Sequence, residues 1–593
     1  MSIDIMRHSA AHVMAAAIQR LFPEAKFGIG PTVDFGFYYD IDLGRAVTPE
    51  DMGKIEKEMK KIVKENLEFE RSEMKLDEAI AMFDSLNQPY KVELLKDLQE
   101  KGTTKISGDE MGDIDPENRD KATVYKLGKF TDLCRGPHVE SANKIGFFEL
   151  FKIAGAYWRG KEDNPQLQRI YGLCFTTQDE LDDYKKMLEE AERRDHRKLG
   201  VELDLFSFSP LVGSGLPLWS PKGTVLRNVL DTYVWELRED KGYSRVAIPH
   251  ITKKALYETS GHWAKFSEEL FKITTREGHE YALKPMNCPH HTQIFDSKPR
   301  SYRDMPQRYA ETTMVYRDEQ SGELSGLSRV LCITQDDAHV FCRKNQIEQE
   351  AYAIWDIIDK FYSTFGFELN VRLSMHDPDK FEKYLGTKEV WEQAEEQLRS
   401  MVKKRGVEYV EAKGEAAMYG PKIDFMGKDA IGRMHQVATI QLDFNMPVNF
   451  GLACINEQGE KEGVVMIHAA IMGSIERFLS VLIEHYAGAF PVWLSPVQVM
   501  ILPVADRHIE AAKELALKLK ENGVRVETDD SAESVGKKIR NAEKGKNPIM
   551  IVFGDKEMES GDLTVRRRGD KDQQVIATNE FIDSILKQIA DRV

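Results

Sequence analysis

Apolar residues recur at two spacings along this chain, and the changes of spacing mark out its parts. Up to about residue 180, short apolar strands alternate with helices, among them a charged amphipathic helix over Lys54 to Lys64. Gly102 to Asp120 is polar and turn-rich. Asp179 to Leu199 is strongly charged, yet Leu181, Tyr184, Leu188 and Ala191 keep a helical spacing, which predicts a linker helix. The run Leu211 to Pro217 opens a new domain, and Val225, Val229, Tyr233 and Leu237 are spaced for one apolar face of a long helix, Thr224 to Lys241. Near the C-terminus a buried strand begins at Val497, a helix follows (His508 to Asn522), and Val524 to Glu527 and Pro548 to Phe553 add two more strands. That alternation predicts a small α/β domain with mostly parallel pairing. The predicted divisions are 1–180, a linker helix at 181–200, 201–494 and 495–593.

Length agrees with this division, since 593 residues exceed one core and imply three to five domains. The balance of 30% charged and 41% hydrophobic residues is that of a soluble globular protein. No apolar run has membrane-spanning length and no signal peptide follows Met1, so the expected location is the cytoplasm, with no membrane partner. Six scattered cysteines fit a reducing compartment better than a disulfide framework. A net charge of −16 gives no overall attraction to nucleic acid, although a local basic face would suffice.

Three groups of residues carry candidate chemistry. Strand alternation puts Arg329, Leu331, Ile333, Gln335, Asp337 and His339 on one face of Leu327–Phe341 if no bulge intervenes. The preceding strand ends at Arg317, before the polar turn Asp318 to Gly322. A hairpin with an arginine on each side of its loop suits nucleotide phosphates, and equally suits a surface hairpin held by salt bridges. His8 and His12, four apart on a helix, share a face, and Cys134 and His138 follow the strand-like Lys129 to Leu133. By spacing alone, His-x3-His with Cys-x3-His is a zinc tetrad. Basic residues Arg540, Lys544, Lys546 and Arg566 to Arg568 are candidates for RNA phosphates, or a solvated surface.

Several strings occur in order along the chain: Ser260-Gly261-His262-Trp263, Met286-Asn287-Cys288-Pro289-His290-His291, Thr334 to His339, Tyr419 to Phe425, Gln441 to Phe444, Ile467-His468, Gly473 to Phe478, and Val552 to Glu557. With the segments Pro221 to Pro249 and Glu311 to His339, they resemble the threonyl-tRNA synthetases, class II aminoacyl-tRNA synthetases, from His8 to the C-terminus. The resemblance implies an N-terminal α+β editing domain, a catalytic antiparallel sheet with flanking helices, and a C-terminal α/β anticodon-binding domain. It also implies a homodimer, in a form lacking the small N-terminal ubiquitin-like domain of many members.

The implied reaction is ATP-dependent activation of L-threonine, with Mg2+, and transfer to the 3′ end of tRNA(Thr). Cys288, His339 and His468 would bind one Zn2+ per subunit; three protein ligands and an open position are a catalytic pattern. Such an ion separates threonine from isosteric valine, which an apolar pocket does poorly. Arg317 would grip the ATP α-phosphate, Arg329 the adenylate, and Arg477 the adenine face or the γ-phosphate, with Glu319 near the adenine. Met286, Gln335, Asp337, Tyr419, Lys422, Gln436, Gln441 and Ser474 would line the substrate pocket. Serine still offers zinc both its ligands, so hydrolytic editing of Ser-tRNA(Thr) is expected. His8, His12, Asp132, Cys134 and His138 resemble that editing site, generally held to work without metal.

The chain departs from the usual family pattern at several positions. His290 stands at the glycine of Cys-Pro-Gly-His and is a potential further metal ligand. Ile333 replaces an aromatic residue often found over the adenine, Leu331-Cys332 a common Arg-Gly, Ser325 a common histidine and Ala469 a common arginine. These changes keep two alternatives open: a diverged paralogue acting as an RNA-binding regulator, or a tRNA deacylase only.

Overall fold

The computed structural model describes residues 2–101, 121–160, 163–570 and 572–593, so the polar stretch expected at 102–120 lies outside the described residues. The chain separates into two compact units, Met1–Glu189 and Glu190–Val593.

In the first unit the helix Ile3–Leu21 is capped by Ser2, whose side chain accepts the Asp4 N–H. It buries Ala10, Val13, Met14 and Ala17 against an antiparallel sheet ordered Lys26–Phe27, Gly36–Asp42, Gln166–Phe175, Phe147–Tyr157. A second antiparallel sheet joins Phe69–Lys75, Lys121–Leu127 and Phe130–Leu133. The amphipathic helix expected at 54–64 runs Pro49–Glu65, with a capping box between Thr48 and Asp51.

The expected linker helix is two helices, Gln178–Arg194 and His196–Glu202. They part at Asp195, whose carboxylate accepts the Arg197 N–H and caps the second one. Short acidic side chains compete for backbone N–H groups in this way, and the regular apolar spacing conceals it.

The second unit is built on an eight-stranded sheet: Ser244–Arg245, Gln307–Tyr316, Cys332–Cys342, Val465–Ser474, Met434–Asp443, Lys422–Lys428, Glu368–Met375, Tyr409–Lys413. All pairings are antiparallel except at the two edges. The helices Pro221–Glu239, Ile347–Phe365 and Ile475–His485 bury their apolar faces in one core on this sheet. On the first of these the core face is Leu226, Leu230, Tyr233 and Val234; the expected stripe keeps only Tyr233, while Val225, Val229 and Leu237 are half-buried. The segment is apolar on adjoining faces, and the sheet selects one.

One irregularity shapes the site. Gln335 pairs with Ser474 and Asp337 with Ala470, so the strand Val465–Ser474 bulges opposite a regular partner. The fully buried Asp336 carboxylate accepts the Ile471 and Met472 N–H groups at 3.0 and 3.1 Å, and Arg238 Nη2 at 3.3 Å. Past the bulge, Gly473 takes φ 68°, and Ser474 caps the helix that carries Arg477.

The C-terminal part of this unit has the sheet order Val526–Thr528, Val499–Pro503, Ile549–Phe553, Asp562–Arg567, Gln573–Ala577. The first three strands are parallel, as expected, and the last two antiparallel. Among the described residues no helix is long and apolar enough to cross a membrane.

Candidate active site

A cavity of about 810 Å3 lies between the large sheet and the helix Ile475–His485. Its walls include every residue expected to bind substrate, nucleotide or the catalytic metal: Met286, Cys288, Arg317, Glu319, Arg329, Gln335, Asp337, His339, Tyr419, Lys422, Gln436, Gln441, His468, Ser474 and Arg477. Ile333, Gln335, Asp337 and His339 enter from one strand, as alternation requires; Arg329 and Leu331 precede that strand, in the loop.

Sheet register assembles the metal-type cluster. His339 and His468 are cross-strand partners, and Cys288 opens the helix Cys288–Asp296 beside them. One donor atom from each of the three falls within 4.8 Å of the others, and all three residues are buried. His339 Nε2 lies 3.1 Å from His468 Nδ1, and His468 Nε2 meets Asp443 Oδ2 at 3.0 Å. Burial and the neighbouring His291 hold the His339 ring well below the usual histidine range, so it is a neutral donor. Burial raises the Cys288 thiol, with Asp337 adding to it. A thiol and two imidazoles, one backed by a carboxylate, fit a zinc ion with an open position. His290 is outside this group: it turns to Tyr257, ring centroids 6.2 Å apart, and neither of its nitrogens has a partner. His290, open at the sequence level as a further ligand, is kept out of the group by helical phase, because residues two apart do not share a face.

The arginines differ in state. Arg477 is unpaired enough that burial lowers its pKa, and Arg317 Nε is buried without a partner. Arg329 is held by Glu319 at 2.7 Å and Glu323 at 2.9 Å. The loop itself is fastened by His196, which accepts the Leu327 N–H on Nε2 at 3.1 Å and meets Glu484 through Nδ1 at 2.6 Å.

Several residues in supporting roles escape sequence reasoning. Asp424, fully buried, receives Gln436 Nε2 at 2.8 Å, Arg372 Nη2 at 3.1 Å and Lys422 Nζ at 3.1 Å. His262 Nε2 sits 3.2 Å from Met286 Sδ, and burial brings its pKa down to about 4. Asn287 Nδ2 donates to Asp337 Oδ2 at 3.1 Å. Asp424, His262 and Asp443 all lie in the resembling strings, which was the only signal for them.

In the first unit His8, His12, Cys134 and His138 converge, with one donor atom from each within 4.8 Å of the others. Cys134 Sγ lies 3.3 Å from His8 Nε2 and 3.3 Å from His138 Nε2, and Ser9 Oγ is 3.2 Å from His138 Nδ1. Asp132 is buried behind them, 3.6 Å from His12 Nε2, paired with Lys91 at 2.5 Å and accepting the Tyr39 O–H. Tyr39 and Lys91 had no local sequence signal. Burial lowers His8, His12 and His138, and pushes Cys134 up to about 12, so the rings are neutral and the thiol protonated at neutral pH. At Gly136, φ 75°, a side chain would strike the Tyr125 hydroxyl, so this close approach requires glycine.

The basic residues of the C-terminal part divide. Arg568 is spent inside the fold, donating to the Lys546, Ala489 and Phe490 carbonyls, which corrects its candidacy for RNA. Arg540, Lys544 and Arg567 are exposed.

Comparison with known proteins agrees with this layout. Residues 271–486 match the tRNA synthetase class II core domain (G, H, P, S and T), 498–588 the anticodon binding domain, and 122–171 the threonyl and alanyl tRNA synthetase second additional domain. The threonine–tRNA ligase of Carboxydothermus hydrogenoformans is 47% identical over 99% of this chain and 89% of its own length. That of Acetivibrio thermocellus is 46% identical over the same shares. A solved structure described as the RNA binding domain of threonyl-tRNA synthetase from Cryptosporidium parvum superposes with a TM-score of 0.64 at 37% identity, covering 66% of this chain and 98% of that one. The chain belongs to the threonyl-tRNA synthetase family of class II aminoacyl-tRNA synthetases.

Proposed function

We propose that the cavity of the second unit activates threonine and that the cluster of the first unit removes serine. The chain is a threonine–tRNA ligase: ATP and L-threonine give threonyl-adenylate, and the acyl group passes to tRNA(Thr). The observation that carries the assignment of roles is the convergence, in one cavity, of a Cys-His-His donor set with Arg317 and Arg477.

Arg317 binds the α-phosphate region and Arg477 the nucleotide, their unpaired guanidinium groups gaining most when a phosphate arrives. Arg329 holds Glu319 toward the adenine and is released to the adenylate. Asp337, fixed by Asn287, receives the threonine ammonium, while Gln335, Tyr419, Lys422, Gln436, Gln441, Met286 and Ser474 complete the pocket. Cys288, His339 and His468 would hold zinc, which when bound supplies a Lewis-acid position for the substrate amine and hydroxyl. Mg2+ accompanies ATP.

In the editing site a neutral histidine, His8 or His12, takes a proton from water. Asp132, His138 and the protonated Cys134 orient the ester and ribose, without metal. The protein acts as a homodimer in the cytoplasm, its domains spanning 1–180, 181–200, 201–494 and 495–593. Threonine-dependent exchange of pyrophosphate into ATP tests the reading. Exchange with threonine, little with serine and none with valine is expected; zinc-loaded protein with no threonine-dependent exchange would leave the regulator as the better account.

A further inference from the structure

The zinc-type cluster has a second layer on one side that no assigned role uses. His291 follows Cys288 by three residues on the same helix, so both side chains reach the same face. His291 is fully buried, and its Nδ1 lies 2.7 Å from Nδ1 of His339. Its other nitrogen, Nε2, has no partner and faces Glu311 Oε2 at 3.9 Å, itself buried without a partner. Glu311 is anchored through its other oxygen, which accepts the Ile248 N–H at 3.2 Å.

Two ring nitrogens 2.7 Å apart share one proton, and for two neutral rings there are two arrangements. If His291 donates, the His339 proton sits on Nε2, the nitrogen facing His468, and blocks it as a ligand. His291 Nε2 then turns a bare lone pair toward a carboxylate, which is repulsive. If His339 donates, its Nε2 is a free lone pair beside His468 Nδ1, and the His291 proton sits on Nε2, aimed at Glu311. Glu311 selects the second arrangement. Closing the remaining gap takes a movement of about 1 Å, after which both orphaned atoms are paired.

We infer that His291 and Glu311 form a hydrogen-bond relay that fixes the His339 tautomer and presents His339 Nε2 to the metal. They are positioning residues for the metal and, through it, for threonine. His468 has the same device in shorter form, its Nε2 held directly by Asp443 at 3.0 Å. Each histidine donor thus ends in a carboxylate, one directly and one through a second imidazole. The inference rests on the metal reading proposed above for Cys288, His339 and His468.

The test measures Zn2+ affinity of full-length protein by competition with a chelator, for wild type, Cys288→Ser, His291→Phe and Glu311→Gln. Phenylalanine keeps the ring and removes both nitrogens. Zinc binding weakened about 10- to 100-fold in His291→Phe is expected, with a smaller loss in Glu311→Gln. In pyrophosphate exchange the KM for threonine should rise while that for ATP stays, a split that general loosening of the fold would not give. Affinity within twofold of wild type in His291→Phe, with zinc lost in Cys288→Ser, overturns the relay alone. Wild type without stoichiometric zinc, or Cys288→Ser retaining it, overturns the metal reading beneath it. If His291→Phe does not fold, Glu311→Leu, which removes the acceptor that an amide would keep, decides: an unchanged zinc affinity there refutes the relay.

Discussion

Arg238→Met should destabilise the second unit by an amount that grows with pH. Arg238 and Asp336 form a buried ion pair, 3% and 0% exposed, behind the bulge that sets Ser474 and Arg477. Removing one partner of such a pair generally costs about 3–5 kcal/mol, because the other charge is stranded. Here the stranded group has an escape. Burial has already pushed the Asp336 carboxyl up to about 6 with Arg238 present, so without the arginine it takes a proton. At pH 7 that protonation costs about 1.4 kcal/mol, the free energy of one pH unit above a pKa near 6. Weakening one of the two backbone hydrogen bonds adds about 1 kcal/mol. The protonation route therefore wins, and the expected penalty is about 2–3 kcal/mol at pH 7.

Its pH dependence has a definite sign. In the variant the folded state holds a proton that the unfolded state lacks, so stability falls as pH rises, by up to about 1.4 kcal/mol per unit relative to wild type. Urea unfolding between pH 6.5 and 8.5, followed by tryptophan fluorescence, reads this unit well, since six of the seven tryptophans lie in it and only Trp158 does not. The double variant Arg238→Met, Asp336→Asn should remove the pH slope and recover part of the loss. A penalty that is flat with pH, or a double variant as unstable as the single one, would refute the reasoning.

Three further outcomes are expected. His8→Ala with His12→Ala should abolish hydrolysis of Ser-tRNA(Thr) while threonine-dependent exchange persists; surviving hydrolysis would remove the editing assignment. His262 and His290, both brought down to about 4 by burial, must charge on unfolding, so stability complete above pH 6.5 is lost as pH falls toward 4. Each contributes a loss of about 2 kcal/mol by pH 5, and His290→Phe, which deletes two unpartnered nitrogens, should remove its own share of that loss in acid urea titrations without lowering stability at pH 7. Cys134, its thiol pushed up to about 12, should react with iodoacetamide at pH 8 far more slowly than a free cysteine; labelling at the free rate would contradict its burial among neutral rings.

The sequence made the donors legible but not their proton positions. Ile333, Gln335, Asp337 and His339 were readable as one face because a strand has a period of two and this one is regular against its neighbour. In the C-terminal sheet Val499–Pro503 and Ile549–Phe553 were readable because each is a continuous apolar run, as parallel strands buried on both faces are. Helical phase was less readable, since Val225 and Leu226 are both apolar and only contact with the sheet decides which one faces the core. Asp195 broke a helix that its apolar spacing supported, because a cap depends on one side chain and not on a period.

The site shows the same limit more sharply. Cys288, His339 and His468 belong to no local motif, and the resemblance joined them where spacing did not. What joins them physically is the register that sets His339 opposite His468, a pairing across 129 residues. The resemblance also carried Asp443 and His291 inside its strings, yet their residue types do not say which nitrogen each one holds. On the relay inferred above, that depends on a carboxylate beyond each ring: Asp443 on the strand Met434–Asp443, hydrogen-bonded to His468, and Glu311 on Gln307–Tyr316, facing His291 at 3.9 Å. Both strands contribute to the same sheet as the donors they orient. A shift of either strand by one residue would turn its carboxylate to the other face and leave the donor residues in place with their protons unassigned. On the metal reading proposed above, affinity at this site would be a property of sheet register as much as of ligand identity.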